Sequence, residues 1–453
     1  MDIKERVESY RDELIERLGK LVSINSEEGK SSEDAPFGEG PKEALLTALD
    51  MLEKDGVKTT NLDNYIGYGE IGEGEEVIGV IGHLDVVPAH RKDGWKTDPF
   101  TMVEEDGVLY GRGVSDDKGA IVASMIAFKV LQDMGTPLNK RVRLIMGTNE
   151  ESGSRCLKYY VEKEGSVDYG FTPDGDFPGI HGEKGMIAGT YRSKKTGIRA
   201  IEGGTAFNVV CPSCTVKIDK NSLSLSKLED YFNDNDYEYS IEEVEDGINI
   251  TANGIPAHGS LPQLGLNAIS ILMQALNEAG FQDPFVDYYN EHFGLTTDGS
   301  KLGAACKDQY GELTLNNGMI GMKDGQIQGS VDIRFPVTMN VKQVSELLLS
   351  NAEDDNGVFE IVEGIEPLFY APDSPLVKAL LEAYQEVTGD YDTLPMTMGG
   401  GTYAKGINNT IAFGCSFPNI DYHIHQANEF VRVDELLKQA EIYVIAIQKL
   451  LAL

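Results

Sequence analysis

The stretch V-I-G-V-I-G-H-L-D, from Val77 to Asp85, is a short apolar run that ends on a histidine and an aspartate. Four to eight consecutive apolar residues bounded by turn signals read as a strand buried on both faces, the kind found in parallel sheets. Downstream, Gly111 to Gly119 reads G-R-G-V-S-D-D-K-G before a long helical stretch. Asn149, Glu150 and Glu151 then follow the run Val142 to Met146, and T-P-D-G-D at Thr172 to Asp176 follows another apolar run. A histidine and several carboxylates, each at the carboxyl end of an expected strand, gather on one edge of an α/β sheet, where open sheets place their sites. The pattern predicts a site for two divalent metal ions.

Around that stretch the first 187 residues alternate helical and strand patterns: a helix over Lys42 to Lys54, a strand into Gly82, a helix over Ala120 to Met134, a strand over Arg143 to Gly147 and another into Phe171. Such alternation predicts a mixed, mostly parallel sheet flanked by helices. From about Ala188 the texture changes to polar-alternating strands, Tyr237 to Val244 and Gly247 to Ala252. These are followed by a helix over Asn267 to Ala279, a strand over Gln326 to Phe335 and a helix begun by Asn340. The helical pattern resumes at Ser374 to Thr388 after the turn Ala371-Pro372-Asp373. Residues 188–371 are therefore read as an α+β domain inserted between the two parts of an α/β domain, residues 1–187 and 372–453.

The 453 residues carry 39 basic and 74 acidic side chains, a formal charge of -35, which opposes contact with nucleic-acid phosphates or anionic membrane surfaces. The amino terminus is charged, with Val7, Tyr10, Leu14, Leu18 and Leu21 on helical spacing: an amphipathic helix rather than a signal peptide. The apolar stretches are too short to span a membrane. Five cysteines, few and odd in number, argue against a disulfide framework and for a cytoplasmic location. Cys211 and Cys214 form one C-x-x-C with no second pair, and free thiols are the expectation. Gly111 to Gly113 and Gly399 to Gly401 lack the spacing of nucleotide-binding loops.

Two hard cations close together need carboxylates and imidazoles, one of them able to bridge, and can polarise a carbonyl while activating a shared water. Candidates are His83, Asp116 or Asp117, Glu150 or Glu151, Asp174 or Asp176, and His423 or His425, and spacing leaves each pair open. Asp85 lies two residues beyond His83 on the same strand face, so its carboxylate is expected to hold the imidazole's other nitrogen. His90, His181 and His292 read as ordinary polar residues. Taken singly, Glu150 and Glu151 also fit the first turn of a helix, and Arg334 a structural ion pair.

H-L-D-V-V-P, G-R-G-V-S-D-D-K-G, N-E-E-S-G-S, T-P-D, P-A-H-G-S-L-P, D-I-R-F-P, G-G-G-T-Y-A and H-Q-A-N-E occur in order between about residues 40 and 430. Together they resemble the co-catalytic zinc aminopeptidase and carboxypeptidase family that includes aminoacylases and succinyl-diaminopimelate desuccinylase, and within it the peptidase V-type dipeptidases. The resemblance implies a zinc-peptidase-like catalytic domain with a lid. It assigns His83, Asp116 and Asp174 to one ion and Asp116, Glu151 and His425 to the other, Asp116 bridging, with Glu150 as general base and a cis peptide after Asp116. In the lid it implies that His258 supports the oxyanion and Arg334 grips the substrate carboxylate, with Asn208, Gly400, Gly401 and Thr402 as further substrate contacts. The activity implied is hydrolysis of dipeptides through a water shared by two ions, zinc first, manganese or cobalt as alternatives. N-acyl amino acids or succinyl-diaminopimelate are the alternative substrates, and a binding protein without catalysis is the remaining alternative. The long insertion leads to the expectation that His258 serves its own chain and that a monomer is active.

Overall fold

The structure, a computed structural model, describes residues 2–350 and 353–453. The chain divides into two compact units: Met1–Gly182 with Tyr370–Met396 and Gly401–Leu453, and Glu183–Phe369 with Thr397–Gly400. The sequence-based boundaries at 187/188 and 371/372 thus lie a few residues beyond the structural ones, and Thr397–Gly400 joins the second unit. It does so through hydrogen bonds: Lys184 N–H donates to the Met398 carbonyl at 2.9 Å, and Thr397 Oγ1 donates to the Tyr310 carbonyl at 3.1 Å.

In the first unit the strands run in the spatial order Lys58–Leu62, Ile66–Ile71, Arg141–Gly147, Val77–His83, Tyr169–Thr172, Thr410–Ala412, Ile180–Glu183. Val77–His83 pairs in parallel with Arg141–Gly147 and with Tyr169–Thr172, which pairs in parallel with Thr410–Ala412; the flanking pairings are antiparallel. This is the mixed sheet expected, and every residue of Val77–His83 is buried. The parallel register sets His83 opposite Gly147, so that their carboxyl ends reach the same edge.

Helix Lys118–Asp133 is apolar nearly all round, with Ile121, Val122, Met125, Ile126, Phe128, Val130 and Leu131 fully buried, as befits a helix enclosed by others. It packs against Val433–Leu451 and Arg11–Val22. Its first turn fits closely: a Cβ on Gly119 would stand 2.0 Å from the Val114 carbonyl oxygen, so the loop carrying Asp116 can lie against this helix only where the side chain is missing. Lys118 donates to the carbonyls of Leu21 and Ile24, both at 2.9 Å, closing the end of helix Arg11–Val22, and burial pushes its ammonium down to about 7.

The amino terminus forms two helices where its periodicity predicts one. Ile3–Ser9, capped by Asp2, and Arg11–Val22 break at Tyr10, whose hydroxyl donates to Asp133 at 2.6 Å. Val7, Leu14, Leu18 and Leu21 are buried as their spacing predicts.

The second unit contains one antiparallel eight-stranded sheet, in the order Tyr239–Val244, Gly247–Asn253, Ser213–Ile218, Ala200–Gly203, Thr314–Lys323, Gln326–Phe335, Gly185–Ser193, Gly357–Ile365. At its middle only Glu202↔Gly321 and Gly203↔Ile320 pair, so two four-stranded halves meet there. Helices Leu225–Asp234, Ala268–Glu278, Pro284–His292 and Val341–Leu349 complete the unit. Side-chain caps open all four: Ser224 on Lys227 N–H, Asn267 on Ile269 N–H, Asp283 on Phe285 N–H, Asn340 on Gln343 N–H.

Among the described residues no helix is long and apolar enough to cross a membrane. All five cysteines are free, Cys211 and Cys214 included.

Candidate metal centre

The strand Val77–His83 delivers His83 to the sheet edge, where it is 1% exposed. Its Nδ1 stands 2.9 Å from the Asp85 carbonyl oxygen. An Nδ1–H donated there leaves the Nε2 lone pair facing the acids, the tautomer a metal requires. The expectation that the Asp85 carboxylate holds this ring is corrected: its oxygen lies 3.6 Å from Nδ1, beyond a hydrogen bond. Its two oxygens instead accept the backbone N–H groups of Glu150 and Glu151, each at 3.0 Å. Two consecutive amides take up the Asp85 carboxylate while its carbonyl meets the ring, so Asp85 fixes the acidic turn with its side chain and the imidazole with its backbone.

Asp116 is the hub. Its Oδ1 is 2.9 Å from His83 Nε2 and its Oδ2 2.9 Å from His425 Nε2. His83 Nε2 lies 3.9 Å from Asp174 Oδ2, and His425 Nε2 3.2 Å from Glu151 Oε1. All four separations fall within the roughly 4.2 Å that two donors about 2.1 Å from one ion can span. The donors form two groups sharing one carboxylate, His83–Asp116–Asp174 and Asp116–Glu151–His425. Nitrogen and carboxylate donors in two such groups fit a pair of divalent ions.

The residues left open by spacing separate clearly. The Asp117 carboxylate accepts the His83 backbone N–H at 3.0 Å and belongs to neither group. The Asp116–Asp117 peptide is cis. Asp176 bridges through its backbone to Ser416, and His423 stacks edge-on against Phe430. Glu150 and Glu151 lie in a turn four residues ahead of helix Arg155–Glu164, not in its first turn. His181 bonds the Tyr370 carbonyl at 2.7 Å; His292 pairs with Asp354 at 3.1 Å, and with Glu291 they form a further acidic grouping in the second unit.

Burial dominates the electrostatics. It raises the carboxyls of Glu150, Glu151 and Asp174, the last to about 7, and the neighbouring negative charges push the same way. Burial acts to lower both histidines, yet hydrogen bonds to Asp116 reverse it, taking His83 well above its ordinary range and His425 to about 11. The same contacts hold Asp116 far below the usual carboxylate range despite its burial. More carboxylates than imidazoles are thus enclosed, a surplus of negative charge that divalent cations would balance.

In the second unit, His258 Nδ1 accepts the Ser260 backbone N–H at 3.2 Å and faces Ser260 Oγ at 2.7 Å, which places the ring proton on Nε2. Asn208 is beside it: the Gly259 N–H donates to the Asn208 carbonyl at 2.6 Å. Arg334 is engaged by its own strand, Nε and Nη2 donating to Asp332 at 2.7 and 3.0 Å, and Nη1 to the Gly399 carbonyl at 3.2 Å. Three of its five N–H groups are so used, which leaves two for a ligand. The Thr402 hydroxyl accepts the Ala404 N–H at 3.2 Å and caps the turn Tyr403–Gly406. Gly400 and Gly401 fall on either side of the boundary between the units.

Sequence reasoning overlooked Tyr403, which stands edge-on to His83 with ring centroids 6.3 Å apart and its hydroxyl 2.9 Å from Cys156 Sγ. It also overlooked Asp332 and gave no role to Glu429, although both lie inside quoted motifs.

A family pattern, peptidase family M20/M25/M40, matches residues 79–449. The protein YtjP of Bacillus subtilis, designated a candidate dipeptidase, is 35% identical over 457 residues, covering 97% of each chain. The chain belongs to peptidase family M20/M25/M40. A Staphylococcus haemolyticus relative of the same designation is 31% identical over 99% of both chains. Among solved M20-type folds, human carnosine dipeptidase 1 superposes with a TM-score of 0.60 at 19% identity, over 100% of this chain and 98% of its own. The aminopeptidase PepT of Bacillus cereus gives 0.55 at 17%, over 98% and 99%. At these identities the structures establish a shared fold.

Proposed function

We propose that this M20-family chain is a cytoplasmic, metal-dependent dipeptidase. One observation carries the reading: Asp116 offers one oxygen toward each of two histidines, with Glu150 held beside them by Asp85. His83, Asp116 and Asp174 would hold one divalent ion, and Asp116, Glu151 and His425 the other. Bound there, two ions supply Lewis acidity toward the scissile carbonyl and lower the pKa of water. Glu150 takes the proton of the attacking water on its carboxylate and returns it to the leaving amine nitrogen, a base whose proton affinity burial raises. His258 donates from Nε2 to the oxygen that gains charge as the carbonyl becomes tetrahedral. Arg334, braced by Asp332, anchors the terminal carboxylate and so limits substrate length. The names of the relatives, dipeptidases, support the substrate class.

A panel of free dipeptides against N-acyl amino acids and succinyl-diaminopimelate tests the substrate class. Free dipeptides are expected to turn over at least tenfold faster; preference for an acylated amine would move the chain to the amidohydrolases of the family. Zinc is the first candidate metal, with manganese and cobalt suited to the same oxygen-rich donors.

The two-halved sheet of the second unit supports an active monomer, with His258 serving its own chain. Sedimentation of the turning-over enzyme is expected to give a mass near the 49.5 kDa of one chain; activity confined to a dimer would refute this.

A further inference from the structure

Glu429 has no exposed surface, and no part of the mechanism above uses it. Its carboxylate is fully occupied. Oε2 accepts from Arg112 Nη1 at 2.7 Å and from the Gly113 N–H at 3.0 Å; Oε1 accepts from the N–H groups of Ser115 at 2.9 Å and Asp116 at 3.1 Å. Its own carbonyl accepts the Gly111 N–H at 3.1 Å. The next residue opens strand Phe430–Arg432, which pairs antiparallel with Val108–Tyr110. One side chain therefore laces the segment that carries Asp116 to the segment that carries His425, four residues before it. It does so through backbone N–H groups, leaving both Asp116 oxygens turned to the histidines.

We propose that Glu429 is a positioning residue that fixes the separation of Asp116 and His425, and through it the affinity of the Asp116–Glu151–His425 site for its ion. This rests on the two-ion reading given above. The chemistry requires a carboxylate: each oxygen receives two donors, so a glutamine would present its NH2 to two N–H groups whichever way it turned. Arg112, itself 3% exposed and set over the Trp95 ring at 5.3 Å, supplies the charge that makes burial of the carboxylate tolerable. Groups behind metal ligands typically change affinity about 10- to 100-fold when removed.

The test is calorimetric titration of Zn2+ into chelator-stripped wild type and Glu429→Gln, with circular dichroism of both apo proteins. Wild type is expected to bind two ions. Glu429→Gln should keep one near wild-type affinity and bind the other about 10- to 100-fold more weakly, with turnover restored in part by excess Zn2+. Two ions bound by the variant within threefold of wild type would overturn the proposal while leaving the two-ion reading intact. Fewer than two ions on wild type would sink that reading first, and the proposal with it. Should Glu429→Gln fail to fold, Glu429→Asp, which keeps the charge but is one methylene too short to hold all four donors, is expected to weaken the same ion about tenfold; unchanged affinity there overturns the proposal.

Discussion

Glu150→Ala is expected to lower kcat about 10²- to 10⁴-fold, the span a positioned general acid–base group supplies, with both ions still bound. Glu150 belongs to neither donor group, so its removal leaves the six donor positions intact. What disappears is a carboxylate whose backbone N–H is clamped by Asp85 at 3.0 Å and whose proton affinity is raised by burial and by Asp174. Steady-state kinetics beside metal analysis of the same preparation checks this. Wild-type turnover in the variant would remove Glu150 from the mechanism, and loss of metal would recast it as a ligand.

Stripping the metal is expected to abolish turnover and to lower the unfolding midpoint, with both restored by zinc, manganese or cobalt. Asp116, Glu150, Glu151 and Asp174 are gathered around two imidazoles, one buried and one half exposed, and burial together with their mutual repulsion raises the proton affinity of three of these acids. An ion present at a hundred times its Kd contributes about 2.7 kcal/mol by mass action. Thermal melts and dipeptide assays before and after chelation measure both effects. Undiminished turnover in protein holding less than a tenth of an ion per chain would refute metal dependence.

The sheet edge was legible in the sequence because parallel strands announce themselves as unbroken apolar runs and because their carboxyl ends share one side. Val77–His83 and Tyr169–Thr172 illustrate it: each run stops where a donor is delivered. The partner of Asp85 was not legible. An offset of two residues puts Asp85 and His83 on one face, but whether the carboxylate or the carbonyl meets the ring depends on the amides of Glu150 and Glu151, sixty-five residues away. Arg334 shows the same limit, since its fork is already shared with Asp332 and Gly399. The break at Tyr10 was hidden because both helices keep the same apolar stripe through it.

Order and spacing of motifs, read from the chain alone, determined the α/β class, the inserted unit, the family resemblance and the short set of acids and histidines from which a metal site could be built. Those are properties of local periodicity and of residue chemistry. The resemblance already named Asp116 over Asp117; only the tertiary structure decided that Asp85 clamps an acidic turn and that Glu429 joins the two segments. Each of these is a choice between groups a few ångströms apart, and such choices are made by backbone amides brought in from distant parts of the chain, which no local pattern encodes.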